Sequence, residues 1–166
     1  MSAQGTRATD AAKRSGIAHA LHEYAHDERA SLRTGGRGYA LEAVDALGLD
    51  AGRVFKTIVV ACDGRLGLVV VPADAEVDLK AAAAALGGRR AAIADPVEAE
   101  RATGYVVGGI SPLGTRRPLP VVLDASAAEY PTIHVSAGRR GLEIELVAAD
   151  LVSLTRGRLA PVARRG

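Results

Sequence analysis

Lys56 is the first residue whose type and surroundings invite chemistry. It stands in VFKTIVV, preceded by valine and phenylalanine and followed by a β-branched run. Alternation along a strand puts it on the same face as Val54 and Ile58. An ammonium on an apolar face has two readings. It faces water on an edge strand, where lysine deters aggregation, or it stands at a pocket wall and meets a phosphate, a carboxylate or a developing oxyanion. A second group lies in GYVVGGISPLG, which carries Gly104, Gly108, Gly109 and Gly114 around a short apolar run with Ile110, Ser111 and a proline. Glycine permits positive φ and lets a ligand approach bare peptide groups. Adjacent glycines can also turn N–H groups into a concavity for an anion or a carbonyl oxygen. The plain alternative is a tight crossover loop. A third group is VSAGRRGLE, where Ser136 ends a strand, two arginines make a turn and Glu143 follows. These residues could surround a polar ligand, or form an ordinary hairpin with solvated arginines.

Other reactive types carry less. His19, His22 and His26 are close in sequence and His134 is far away, so they read as solvated or hydrogen-bonded structural histidines. The single cysteine, Cys62, reads as core; it excludes an intrachain disulfide and a cysteine-built metal site. No GK[ST] follows the glycines, so a P-loop is excluded, and the Rossmann fingerprint is absent. No serine sits in a nucleophile elbow. Neither a metal nor a cofactor is expected.

The elements that must position these residues follow from pattern. Residues 1–7 are small and polar and read as frayed, disorder extending to about residue 8. ATDAAKRSG reads as a helix with Thr9 at its cap and Gly16 at its end. Ile17 to Tyr24 reads as a first strand, and AHDERASLRTGGRG as a loop. YALEAVDALG repeats apolar residues at helical spacing. RVFKTIVVACDGRLGLVVVP reads as a hairpin around Asp63-Gly64, a dipeptide that favours a tight turn. DLKAAAAALG is a helix capped by Asp78, RRAAIA a short strand, and DPVEAERATG a helix with Asp95 at the cap and Pro96 in its first turn. LPVVLD and TIHVSA read as strands. GRRG turns the chain into LEIELV, whose glutamates Glu143 and Glu145 share one face, expected to be wet. AADLVSLTRG is a last helix, and RLAPVA a terminal strand or tail. Helices and strands mix without a β-α-β-α rhythm. That predicts an α+β fold of one domain over residues 1–166, with a mixed, mostly antiparallel sheet curled around one core.

The totals agree with a folded chain. It has 166 residues, 48% of them hydrophobic and only 3% aromatic, so aliphatic side chains must build the core. The net charge of +2 announces no nucleic-acid partner by itself. Four arginine pairs, at 89–90, 116–117, 139–140 and 164–165, could still form a local basic face or be ordinary surface charge. No apolar run reaches membrane-span length and no signal-peptide segment is seen, so a cytoplasmic protein is expected.

VFKT, then ADPVEAERATGYVVGGISPLG, then VSAGRRGLEIEL, in this order and at these distances, resemble the YbaK/EbsC family over roughly residues 10–160. That family comprises stand-alone aminoacyl-tRNA editing proteins related to the editing domain of bacterial prolyl-tRNA synthetase. The resemblance implies a partly barrel-like mixed sheet with helices around it. It implies a trans-editing deacylase of Cys-tRNA(Pro) and Cys-tRNA(Cys), in which the substrate's own thiol attacks its carbonyl. Family residues important for activity fall on Lys56, Thr57, Gly108, Ser136 and Tyr24, and the family acid falls on Glu143. A pocket phenylalanine falls on Tyr39, which adds a hydroxyl. Gly109, Ile110 and Ser111 belong to the loop that lines the family's pocket. The implied partners are the 3′ acceptor end of aminoacyl-tRNA and prolyl-tRNA synthetase. Relatives with Ala- or Ser-tRNA as substrate, and a non-catalytic tRNA- or ligand-binding module, are the competing readings.

Overall fold

The computed structural model describes residues 5–27 and 38–165. Most of the loop expected between the first strand and the next helix therefore lies outside the described residues.

The central hairpin forms as its sequence dictates. β2 (Phe55–Cys62) and β3 (Arg65–Pro72) pair antiparallel from Phe55↔Pro72 to Cys62↔Arg65. The turn has φ of 50° at Asp63 and 82° at Gly64, the two positive values of a tight hairpin turn. The Asp63 carboxylate accepts from the N–H groups of Arg89 and Arg90, at 2.8 and 3.1 Å, which fastens the turn to the next strand. Around this hairpin the sheet runs in the order β5-β2-β3-β6-β9, with β5 (Ala91–Ile93), β6 (Val121–Asp124) and β9 (Arg158–Ala160). β3–β6 and β6–β9 are parallel and the other pairs antiparallel, so the sheet is mixed.

Both faces of that sheet are covered, which explains why β3 reads as a nearly continuous apolar run. Leu68 and Val70 point into the larger core. There they meet helices α1 (Arg7–Ser15), α4 (Pro96–Thr103) and α5 (Ala148–Thr155), and a second sheet. Val69 and Val71 point the other way, against α3 (Leu79–Ala85) and Val162. The second sheet has the order β1-β8-β7, with β1 (His19–Glu23), β7 (Ile133–Arg139) and β8 (Leu142–Leu146). α2 (Tyr39–Leu47) packs Ala43 beside Val54 and Tyr24 in a smaller cluster. A two-stranded ladder joins β4 (Glu76–Val77) to β10 (Ala163–Arg164). The C-terminal segment is also held by the buried Asp124, whose Oδ1 accepts from the N–H groups of Val162 and Ala163 at 2.9 and 3.0 Å.

One expectation is corrected and two features are added. The first helix starts at Arg7, inside the stretch read as frayed. Its N-cap is Thr6, in a reciprocal capping box in which Thr9 is the N3 partner rather than the cap. Secondly, the sheets do not close into a barrel. β5 covers the edge of β2 only from Val60 to Cys62, and the other end of β2 approaches β7 through one bridge, Val54↔His134. Thirdly, β4, β10 and the 3-10 turn Ala125–Glu129 are too short to leave a periodic signal.

Candidate active site

Where β2 and the three-stranded sheet diverge, a cleft of about 380 Å³ opens. β2 supplies Phe55, Lys56, Thr57 and Ile58, and α2 supplies Tyr39. The glycine loop gives Val107, Gly108 and Ile110; Ser136 and Glu143 come from β7 and β8. Lys56 does not face open water. Its side chain is 17% exposed, and its Nζ lies 3.8 Å from Glu76 Oε1, a long contact to a carboxylate that is itself 64% exposed. Lys56 thus lines the cleft with one long ion-pair contact as its partner among the described residues.

Ser136 and Glu143 are paired across the β7–β8 ladder. Glu143 is 5% exposed, so the face expected to be wet is closed at this position. Pure alternation identifies that Glu143 and Leu142 point opposite ways, but not that β2, Tyr24 and α2 cover the polar side. Burial pushes the Glu143 carboxyl up to about 8, so it is protonated at neutral pH with nothing bound. Its Oε1 and the Oγ1 of Thr57 are buried without a hydrogen-bond partner among the described residues. Two orphaned polar atoms in one cleft ask for a polar ligand.

The loop explains its glycines. Gly108 has φ of +91°, and a Cβ there would lie 2.7 Å from the Tyr39 ring. Its N–H makes no hydrogen bond among the described residues, so it is available to an oxyanion. Gly109 differs. Its N–H donates to Val106 O at 2.8 Å, and its α-carbon packs where a Cβ would come within 2.8 Å of Arg139 Cα. It shapes the turn and does not line the cleft. Ser111 is fully buried and its Oγ accepts from Leu113 N–H at 3.2 Å, so it caps the loop. The loop is braced from behind by Tyr105, whose hydroxyl donates to Leu113 O at 2.5 Å.

Tyr24 stands outside the lining as well. It packs with Ala43 and Val54, and its hydroxyl pKa is raised, first by burial and next by the nearby Glu143 charge. Of the ten residues singled out from sequence, Lys56, Thr57, Gly108, Ile110, Ser136, Glu143 and Tyr39 meet in the cleft, while Tyr24, Gly109 and Ser111 support it from outside. Glu76 and Phe55 were not singled out. Glu76 sits on a two-residue strand with no pattern to mark it, and Phe55 reads as core.

Beyond the cleft, β8 carries a different cluster. Donor atoms of His22, His134 and Glu145 lie within 4.8 Å of one another, although His134 is distant in sequence. Two imidazoles and a carboxylate could hold a divalent ion. Here, however, Glu145 is already engaged. Its Oε2 takes Arg53 Nη2 at 3.1 Å and the Thr132 hydroxyl at 2.5 Å, and its Oε1 lies 2.9 Å from His22 Nε2. The Arg53 cation opposes a second cation at this carboxylate, so the arrangement is an ion-pair network.

Residues 38–154 match the profile of the "Aminoacyl-tRNA editing domain". The chain belongs to this family. It is 38% identical over 128 residues to an Enterococcus faecalis protein named "Putative Cys-tRNA(Pro)/Cys-tRNA(Cys) deacylase EbsC", covering 76% of this chain and 77% of that one. An Escherichia coli K12 protein named "Multifunctional Ser/Thr-tRNA deacylase ProXp-y" is 32% identical over 98 residues, 58% of this chain and 59% of the other. A proline–tRNA ligase of Acidithiobacillus ferrooxidans is 28% identical over 145 residues, 81% of this chain but only 25% of the ligase. Among solved structures, "Crystal structure of a putative trans-editing enzyme for prolyl tRNA synthetase" superposes with a TM-score of 0.79 at 25% identity, over 95% of each chain. The editing-domain fold thus places the cleft between its two larger sheets. No helix among the described residues is long and apolar enough to cross a membrane.

Proposed function

We propose that this editing-domain protein deacylates Cys-tRNA(Pro) and Cys-tRNA(Cys), and that the cysteine thiol of the substrate is the nucleophile. The cleft carries the reading. It gathers an ammonium, a peptide N–H without a partner and a buried carboxyl, yet among the described residues its lining contains no cysteine nucleophile and no histidine to activate one. The sulfur attacks the ester carbonyl, the bond from that carbon to the ribose oxygen breaks, and the thiol proton passes to that departing oxygen, which leaves as the ribose hydroxyl. The thiolactone so released is opened by water. The protein's share is orientation and charge stabilisation.

Lys56 meets the terminal phosphate or the ester oxygen, with the Gly108 N–H beside it. Glu143 and Ser136 hold the α-amino group or the ribose hydroxyls. An arriving ammonium stabilises the carboxylate form of Glu143, so the acid charges only when the ligand pairs it. Tyr39 walls the acyl end. The chain acts on the 3′ acceptor end of tRNA in the cytoplasm, and association with prolyl-tRNA synthetase supplies the choice of tRNA. The resemblance to the prolyl-tRNA ligases supports that partnership.

The E. coli relative favours one further reading, hydrolysis of seryl- or threonyl-tRNA, since the hydroxyls of Thr57 and Ser136 could receive a substrate hydroxyl. Deacylation of Cys-tRNA(Pro), Ala-tRNA(Pro) and Ser-tRNA side by side separates the two. The thiol mechanism predicts rapid loss of cysteine, little loss of serine, and no loss from a substrate whose sulfur is methylated. Rapid Ser-tRNA turnover overturns it. Lys56→Ala should lower the rate about 100-fold or more, as removal of a transition-state donor does.

A further inference from the structure

We propose that Arg140 is a positioning residue, a strap that holds the glycine loop and the Tyr39 ring together as one wall of the cleft and thereby sets the acyl selectivity. The inference rests on the deacylase reading above. Arg140 belongs to an arginine pair that sequence alone leaves between a basic tRNA-binding face and ordinary surface charge. Its guanidinium is used otherwise. Nε and Nη2 both donate to Val107 O, at 2.9 and 2.6 Å, and Cζ lies 4.6 Å from the centroid of the Tyr39 ring. One edge of the planar fork is thus spent on the loop, and one face is spent on the aromatic wall.

Gly108 lies under this arrangement. A Cβ at that position would come within 2.8 Å of Arg140 Nε as well as 2.7 Å of the Tyr39 ring, so strap, ring and loop are in mutual contact. The strap itself has a firm base. Arg140 lies in the turn between β7 and β8, where Gly141 has φ of +86° and its carbonyl accepts from Tyr24 N–H at 3.0 Å. The same residue is tied from its amide side as well, Val107 N–H donating to Glu100 Oε2 at 2.8 Å. Three elements distant in sequence, α2, the glycine loop and the β7–β8 turn, therefore meet at one guanidinium. Lysine keeps the charge but can neither fork onto one carbonyl nor stack a plane on the ring.

The test compares wild type, Arg140→Ala and Arg140→Lys on Cys-tRNA(Pro) and Ala-tRNA(Pro) across a salt series. A strap predicts that Arg140→Ala lowers kcat/KM for the preferred substrate about tenfold and narrows the ratio between the two acyl groups, with lysine restoring neither. The slope of log kcat/KM against log salt stays at the wild-type value. A phosphate contact predicts the reverse: equal losses for both acyl groups, a slope shallower by about 0.7–0.9, and rescue by lysine. That result overturns the strap. A wild type inactive on every ester would sink the deacylase reading, and the strap is then read without substrate. The sequence has no tryptophan, so Tyr39→Trp installs a single indole in the wall. Adding Arg140→Ala should raise its acrylamide quenching about twofold by removing the guanidinium from its face; unchanged quenching overturns the strap whatever the enzyme does.

Discussion

Glu143 and Glu145 are two residues apart on one face of β8, yet the protein treats them in opposite ways. Glu145 is 25% exposed and saturated: Arg53, Thr132 and His22 all meet it, and the hydrogen bonds from Thr132 and His22 hold its carboxyl below the usual carboxylate range. Glu143 is 5% exposed, has an oxygen without a partner, and is pushed up to about 8 by burial. A strand that could pair both acids pairs one. The contrast teaches that partners, more than position, separate a structural carboxylate from one kept for a ligand.

The comparison breaks first at Glu143. Glu143→Ala should lower deacylation about 100-fold with the fold retained, whereas Glu145→Gln should leave deacylation at the wild-type rate. Equal losses from both would erase the distinction. A pH titration of stability sharpens it next. The folded chain keeps Glu143 protonated while the unfolded chain ionises it from 4.5, so stability is fully present below 4.5 and is lost as pH rises through about 8. His134 works in the other direction at lower pH: burial lowers it from 6.5 to about 4, and stability falls as pH drops through that window. Between pH 6.5 and about 8 the Glu143 effect therefore stands clear, with a slope of up to about 1.4 kcal/mol per pH unit that levels off above that. Glu143→Gln should flatten it in chemical denaturation; an unchanged slope would contradict the buried acid. Glu145→Gln should cost about 1 kcal/mol at pH 7, since its partners are partly solvated. His22→Ala, at a site 36% exposed, should change stability by no more than about 0.5 kcal/mol.

Much of the scaffold was legible because its signals are local. Asp63-Gly64 marked the hairpin turn, Asp78 and Asp95 marked helix caps, and Gly104 marked a helix end, each a matter of a few adjacent residues. The cleft was legible differently. Spacing alone left Lys56, the glycines and Ser136–Glu143 with bland alternatives, and only their joint resemblance to an editing family brought them together. What stayed hidden depends on contacts across the chain. Thr6 outcompetes Thr9 for the cap because its hydroxyl also reaches Ala137 O. Ser111 looks like a loop serine but is sealed under the loop it caps. His22 and His134 meet only because β1 and β7 flank the same strand.

The incomplete closure between the sheets has a mechanical meaning. Below β5, β2 and β7 touch at the Val54↔His134 bridge, with His134 N–H donating to Arg53 O at 3.1 Å. Arg53 braces the joint further, its Nε donating to Thr132 O at 2.8 Å and its Nη2 meeting Glu145 at 3.1 Å, so the two β-layers are clamped together at this end. The spacing of the layers is thus fixed by residues that do not themselves line the cleft.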